Sequence, residues 1–516
     1  MSVALMLSVM LARAAPLEAQ LHEVAALAGE PSIVAAAGIA RGESAIPTVE
    51  NPAAFDPSDS RRRILIVGLG DQASTADAVF AAVRWFKTRA PAALRRRWAM
   101  SALPAATFDP ADTQSLLRWI TFQAPDLVVT VGGDDASLRD NLKTVPYNRI
   151  QIGAAASPVG GDLQAVPTAL AKILAPSVER SALHEEILAR VGRDPLAIAR
   201  VLANRYPEMP SISYIPAVSW VNALTLASKT DDSTLTARVV QHLKPWLVDG
   251  RKPFGDRIQL TAVAGMMVFA ELPSNVHLTP TDGATAERLA GEAAALAATE
   301  KSPGVAQYGG GWTDDMFMAA SVLARTGRSP ARAQDLDVAA RYMIAYAGRL
   351  QRADGLFNHA PDAPAAWGRG NGFAAMGLTE TLTALPLAHP DRPAVLAIYR
   401  RQMAAVRAQQ SPDGSWREIV DEPGAYREET ATAMLMTAMA RGVRSGWLDA
   451  SYRSGVDRAW RALAAHVTAD GGIIDVCAST AGGTTRRYYL DRPAVTGADD
   501  RGAAMALMAA MEISER

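Results

Sequence analysis

A single cysteine, Cys477, occurs in 516 residues, so no disulfide can form within the chain. Histidine is almost as scarce. The seven are scattered, none stands between His22 and His184, and there is no H-E-x-x-H or Cys/His cluster, so no metal site and no cofactor is expected. Neither sign of charge dominates: the formal net charge is −1, which excludes a bulk field drawing the chain to nucleic acid. Attraction for an anion must therefore be local. No apolar run reaches the roughly 18 residues that a membrane span needs. What is present is ordinary for a globular enzyme, with 49% hydrophobic and 20% charged residues. The length suits two or three domains and a large core. Oligomeric state is not legible at this level.

The N-terminus has a short apolar run, Val3 to Leu11, followed by the small-residue triplet Ala12-Arg13-Ala14. Residues 1–14 thus read as a signal peptide, and the protein as periplasmic or secreted. The run lacks a preceding Lys or Arg, so the other reading is a buried helix in a cytoplasmic protein. Residues 15–60 read as an Ala/Pro-rich lead-in with one helix near Leu17–Leu27; Pro47, Pro52 and Pro57 mark extended chain.

Residues 15–205 read as an α/β domain. Ile64–Gly68, Trp98–Leu103, Asp126–Val131 and Ile150–Gly153 are strand candidates, and Ala76–Phe86 and Thr113–Gln123 are helix candidates. Their alternation implies a parallel sheet. Glycines follow two strands, at Gly68-Leu69-Gly70-Asp71 and Gly132-Gly133-Asp134-Asp135, without completing a nucleotide-binding motif. The layout loosely resembles the zinc carboxypeptidases. Where they carry an H-x-x-E pair, this chain has Gly70-Asp71-Gln72-Ala73, so the resemblance implies a remnant without zinc ligands. A structural or glycan-contacting role is expected for it.

A helical connector over about Leu183–Asn204 leads to the second domain, residues 206–516. Small and apolar residues recur there at i, i+3, i+4, and Gly/Pro/Asp clusters separate eleven segments: 218–228, 232–247, 257–271, 283–299, 313–326, 332–350, 371–385, 391–409, 428–443, 450–467 and 499–513. Helical hairpins repeating about every 55–60 residues suggest a closed toroid of helix pairs. Asp256, Asp314, Arg369, Glu429 and Asp500 fall at the starts of alternate helices, which would place them on one face of the ring. The same residues also suit simple helix caps.

The densest motif is Trp367-Gly368-Arg369-Gly370-Asn371-Gly372-Phe373. Its glycines allow a tight turn or a close approach to a ligand, and a guanidinium at a helix start between aromatic faces suits an acidic sugar. The composition equally fits a Gly-rich loop with a capping Asn and two core aromatics. The stretch resembles the W-x-R-G-N-G-W signature of the unsaturated rhamnogalacturonyl hydrolases, glycoside hydrolase family 105, related to the unsaturated glucuronyl hydrolases of family 88. Gly311-Trp312-Thr313-Asp314-Asp315-Met316-Phe317-Met318, Asp354-Gly355-Leu356-Phe357-Asn358-His359 and Asp413-Gly414-Ser415-Trp416 with Glu429-Thr430 are similar to further family segments, in order.

The resemblance implies an α/α toroid, an (α/α)6 barrel, preceded by the smaller α/β domain. It implies an enzyme that takes a 4,5-unsaturated uronic acid from acidic oligosaccharides by protonating and hydrating the C4=C5 enol ether. Asp314 is then the acid/base, and Asp256 the second carboxylate by position. His359, Arg369, Trp367, Phe373, Trp312 and Asn371 are the expected substrate contacts, and Glu429 and Trp416 scaffold. Tyr488, Tyr489 and Arg492 belong to the rim of the last loop. Two alternatives stay open: a glycosidase acting on saturated uronides with the same barrel, and a non-catalytic glycan-binding protein.

Overall fold

A computed structural model describes residues 17–515 apart from 41–43, 54, 55, 57, 71, 107–109, 133–135, 137, 139–154 and 160–164. The signal-peptide candidate, Asp71 of the first glycine turn, most of the second turn and the whole Ile150–Gly153 strand candidate lie outside the described residues. The chain divides into two compact units. One runs to Gly192 and takes in Glu422–Tyr426; the other comprises Arg193–Asp421 and Arg427–Arg516.

The first unit is a six-stranded mixed sheet with helices. Helix α1 (17–26) precedes β1 (Ile33–Ile39), β2 (Ala45–Glu50) and β3 (Arg62–Leu69). Then come α2 (Ala73–Thr88), α3 (Ala92–Arg97), β4 (Trp98–Ala106), α4 (Pro110–Gln123), β5 (Leu127–Val131), β6 (Ala155–Val159), α5 (Val166–Leu174) and α6 (Ala182–Val191). The strand order is β1-β2-β4-β3-β5-β6. The β4-β3-β5-β6 part is parallel, as the β/α alternation requires, with Ile64 opposite both Met100 and Leu127. Leu21, Val24, Ile66, Phe80, Phe86 and Trp98 form its core. Residues 33–39 and 45–50 correct the lead-in reading: they are two antiparallel strands, with Pro47 inside β2 opposite Ala36. An alanine-rich, proline-containing strand has little β signal, and Pro47 is tolerated because on its other side β2 pairs with β4 at Val49 and Ala102 alone among the described residues.

The second unit is a ring of helices: α7 (Pro195–Arg205), α8 (Tyr214–Thr230), α9 (Ser233–Leu247), α10 (Leu260–Gly265), α11 (Met267–Asn275), α12 (Pro280–Ala297), α13 (Thr313–Thr326) and α14 (Gln334–Leu350), then α15 (Gly368–Ala384), α16 (Arg392–Ala408), α17 (Glu429–Arg444), α18 (Arg453–Ala465), the short α19 (Arg486–Leu490) and α20 (Asp500–Ile513). Helices α8, α10/α11, α13, α15, α17 and α20 pack successively, and α20 returns to α8. They are the inner ring of an (α/α)6 toroid, and α13, α15, α17 and α20 are buried almost all round. Helix α7, read from sequence as part of a connector, packs on α20 and α8 as the twelfth helix, so the boundary expected at 205/206 falls at 192/193.

The C-terminal end of the inner ring is closed by alternating charges. Glu271 (α11) pairs with Arg325 (α13) at 2.9 Å, Arg325 with Glu380 (α15) at 2.8 Å, Glu380 with Arg441 (α17) at 3.2 Å, and Arg441 with Glu512 (α20) at 2.8 Å. Burial opposes the charge on Glu380, yet Arg325 and Arg441 outweigh it and hold its pKa below the usual range. The N-terminal ends of the same helices are thereby left to carry the loops described next. Among the described residues, no helix is long and apolar enough to cross a membrane.

Candidate active site

Helix α13 begins after Gly311, whose φ of +82° suits glycine, with Trp312 as its N-cap. Of the two acids in its first turn, Asp315 holds the loop together. It is 4% exposed and accepts hydrogen bonds from Gly311 N (2.6 Å), Gly310 N (3.2 Å) and Tyr346 Oη (2.7 Å). Burial pushes its pKa up to about 6, with Asp314 adding repulsion and the donors opposing. Asp314, one residue earlier, keeps its side chain 25% exposed.

Asp314 Oδ2 lies 3.1 Å from His359 Nε2, and His359 Nδ1 lies 2.7 Å from Tyr489 Oη. The phenol oxygen accepts a hydrogen bond from Gly483 N at 3.0 Å, and with an acceptor oxygen of Asp314 on Nε2 its own hydrogen goes to Nδ1. That assigns the imidazole proton to Nε2, which donates to Asp314. His359 is fully buried, 4.5 Å from the Trp367 ring and 5.3 Å from Trp312. Its backbone is pinned as well, the carbonyl accepting from Thr313 N at 3.0 Å and the amide donating to Ala365 O at 3.1 Å. With both ring nitrogens engaged and no exposed edge, His359 positions Asp314. The expectation that it touches the sugar is corrected.

The seven-residue signature lies in and just before α15. Gly368 and Gly370 serve helix packing: a Cβ at Gly370 would meet Thr313 Oγ1 at 2.8 Å and Trp367 Cε3 at 2.9 Å. Asn371 is fully buried. Its amide accepts from Phe357 N (2.9 Å) and donates to the carbonyls of Phe357 (2.9 Å) and Trp367 (3.0 Å). It ties the His359 loop to α15 and has no amide hydrogen left for substrate, which corrects its assignment as a contact. Phe373, 1% exposed, packs among Tyr214, Phe317 and Trp367, so it is core and not a wall. Trp367 is also 1% exposed and donates Nε1–H to Glu418 at 3.0 Å; it backs His359 from behind. Trp312 is half-buried, against Gly482 of the last loop.

Arg369 is 4% exposed, its guanidinium 4.9 Å from the Trp367 ring centre and Nη1 donating to Cys477 O at 2.8 Å. Sequence reading missed the acids facing it. Fully buried Glu428 caps α17 and accepts from Ala431 N (2.6 Å) and Cys477 N (2.9 Å). Glu418 accepts from Trp367 and from Cys477 Sγ at 3.1 Å, and its other oxygen has no hydrogen-bond partner. Burial and then repulsion from Glu428 push Glu418 up to about 8, despite Arg369. Arg369 thus balances Glu428, beside a Glu418 that keeps its proton at neutral pH. Glu429, the acid named from sequence, is the buried neighbour of the cap; Glu428 makes the capping bonds.

Asp256 does not join this group. It is exposed in the loop before α10, which starts only at Leu260, and it makes no hydrogen bond or ion pair with the described residues of the site. The helix break at Met266 shortens this inner helix from its expected 257–271 span, and nothing in local sequence marks that loss. Tyr489 was legible only as a rim residue, because its partner His359 is 130 positions away.

Residues 201–516 match the family profile described as Glycosyl Hydrolase Family 88. The chain is similar to the unsaturated rhamnogalacturonyl hydrolase YesR of Bacillus subtilis, 30% identical over 178 residues that cover 33% of this chain and 50% of that protein. It is also similar to the unsaturated 3S-rhamnoglycuronyl hydrolase of an Alteromonas species, 28% identical over 173 residues, 31% of this chain and 42% of that protein. The chain spans about half the length of these curated relatives. A family 105 glycoside hydrolase structure from C. acetobutylicum superimposes with a TM-score of 0.55 at 18% identity, over 62% of this chain and 99% of the other. At that identity the likeness shows the fold.

Proposed function

The chain belongs to Glycosyl Hydrolase Family 88, and we propose that it is a glycoside hydrolase that removes a 4,5-unsaturated uronic acid from the non-reducing end of acidic oligosaccharides. The observation that carries this reading is Asp314. Asp315, Glu418, Glu428 and Glu429 around it are all buried, whereas Asp314 reaches solvent and has one oxygen held by His359. Names of the two curated relatives, both unsaturated uronyl hydrolases, support the substrate class.

The chemistry proceeds by general acid–base catalysis. Asp314 delivers a proton from its free oxygen to C4 of the enol ether. A water, deprotonated in turn by the Asp314 carboxylate, adds at C5. The resulting C5 hemiketal opens to a ketone, which leaves C1 as a hemiacetal that expels the remaining oligosaccharide as an alcohol. No covalent sugar–enzyme bond is needed, unlike the retaining two-carboxylate route. His359 Nε2–H fixes which carboxyl oxygen is free, and Trp312 offers the half-exposed apolar face on which a sugar ring packs. Arg369, buried against Glu428, stays behind the site and sets the charge balance there.

The test is loss of the ultraviolet absorbance of the conjugated enol-ether carboxylate when the protein is mixed with lyase-generated disaccharides. Turnover with appearance of the keto acid supports the reading. Release of a saturated uronic acid instead, or tight binding with no loss of absorbance on any such disaccharide, overturns it.

A further inference from the structure

The first unit carries an arginine-lined cavity of about 310 Å³, at the small end of the roughly 300–1,000 Å³ of ordinary ligand sites. Arg61, Arg62, Arg96 and Arg97 lie around it with Ser60 and Ser177, and no acidic residue is in its wall. In a chain with a net charge of −1 this is a local reversal of sign.

The arginines are not equivalent. Arg61 is held by Glu30 and Asp59, each at 2.5 Å, so its charge is already answered. Arg62 donates Nε–H to Val178 O at 2.8 Å, and Arg97 donates from Nη2 to Ala175 O at 2.7 Å and to Leu174 O. Each bond anchors a guanidinium to the segment just after α5 while sparing its other donors. Arg96 is exposed in α3 and makes no hydrogen bond or ion pair with the described residues. Among the described residues, three of the cations are therefore answered by no carboxylate, and two of them are fixed in place before a ligand arrives, which lowers the ordering cost of binding. Fully buried Trp98 closes the floor, its Nε1–H on Leu174 O at 3.1 Å.

We propose that this cavity binds the oxyanion groups, carboxylate or sulfate, of an acidic oligosaccharide, so that the first unit holds glycan independently of hydrolysis. Guanidinium forks match planar or tetrahedral oxyanions, and the serine hydroxyls at the rim match sugar hydroxyls as donor or acceptor. Nucleic acid is the less fitting polyanion, because no aromatic face in the wall is open for base stacking. The choice of a glycan rests on the proposed function; the anion site itself does not.

The experiment uses the full chain with Asp314→Asn to silence turnover. Saturated oligogalacturonate, a sulfated oligosaccharide, inorganic sulfate and duplex DNA of matched charge are titrated by calorimetry, with and without Arg96→Glu and Arg62→Gln, and with Trp312→Ala as the control for binding at the other unit. The expected result is binding of one or both oligosaccharides, weakened tenfold or more by the arginine variants at unchanged thermal stability and unaffected by Trp312→Ala. Affinity that ignores the arginine variants, equal occupancy by inorganic sulfate, or tighter binding of DNA would each overturn the proposal. Hydrolysis is assayed separately on the Arg96→Glu chain with Asp314 intact, so loss of the site and loss of the enzymatic reading are distinguishable.

Discussion

Tyr489 and His359 are 130 positions apart in sequence and 2.7 Å apart in space, and their contact decides where the imidazole proton sits. Because an oxygen of Asp314 accepts from Nε2–H, the neutral imidazole presents Nδ1 as an acceptor, and the tyrosine, which also accepts from Gly483 N, is the donor to it. The short helix α19, just before the last helix, thus sets the state of an acid on the third inner-ring member, α13.

Asp314→Asn is expected to lower kcat by about 10²–10⁴-fold with the fold intact, since the amide keeps the shape but has no carboxyl proton to deliver. Steady-state kinetics on an unsaturated disaccharide, with circular dichroism as the control, measure this. A variant that retains half the wild-type rate removes Asp314 from the role.

Tyr489→Phe removes one hydrogen bond and frees the imidazole tautomer. The loss of one such bond is worth about 0.5–1.5 kcal/mol, so kcat is expected to fall up to roughly tenfold. A changed pH–rate profile distinguishes this from a packing defect, which would shift thermal stability and leave the profile in place.

Asp256→Asn is expected to change neither kcat nor, beyond about 0.5 kcal/mol, stability, because the residue is exposed and unbonded. A large loss of kcat would show that the loop carrying it closes onto the site during turnover.

Two buried carboxylates give the stability opposed pH dependences. Glu418, raised to about 8 in the folded state, binds more proton folded than unfolded between about pH 4.5 and 8, so its contribution is present below that window and lost as pH rises through it. Glu380 has the opposite sign: depressed when folded, it stabilises above its unfolded pKa and stops doing so on acidification. Thermal melts across pH should show Glu418→Gln flattening the decline between about pH 4.5 and 8. If the wild type and Glu418→Gln melt in parallel from pH 5 to 9, the buried proton on Glu418 is not there.

Arg441→Met should be destabilising, by about 1.5–3 kcal/mol, because it takes one of two arginines from each of the buried carboxylates Glu380, which keeps Arg325, and Glu512, which keeps Arg444. Chemical denaturation measures the loss. The double variant in which Glu380 also becomes Gln should recover part of it; no recovery would mean that the charges in the belt act separately.

The periodic part of this protein was legible in its sequence. Segments such as 313–326 and 392–408 carry their helical repeat locally, and the order of Trp312-Thr313-Asp314, the His359 loop and the Trp367 signature gave the family resemblance before any coordinates. Local pattern also sufficed for the buried strands at 62–69 and 127–131, which carry the apolar runs Ile64–Val67 and Leu127–Val129. What sequence could not decide was the division of labour inside a motif. Within seven residues, Arg369 and Trp367 meet the buried acids behind the site, Asn371 spends its amide on backbone, Phe373 joins the core and the glycines admit neighbouring helices. Those roles depend on which distant groups arrive beside each side chain: Cys477 and Glu428 for Arg369, Phe357 for Asn371, Tyr489 for His359. Helical periodicity fixes the face a residue presents, a matter of 3.6-residue spacing within one element. Its partner is fixed only when the ring closes and helices far apart in sequence share an end, so the proton on His359 and the carboxyl left open at Asp314 belong to the tertiary structure.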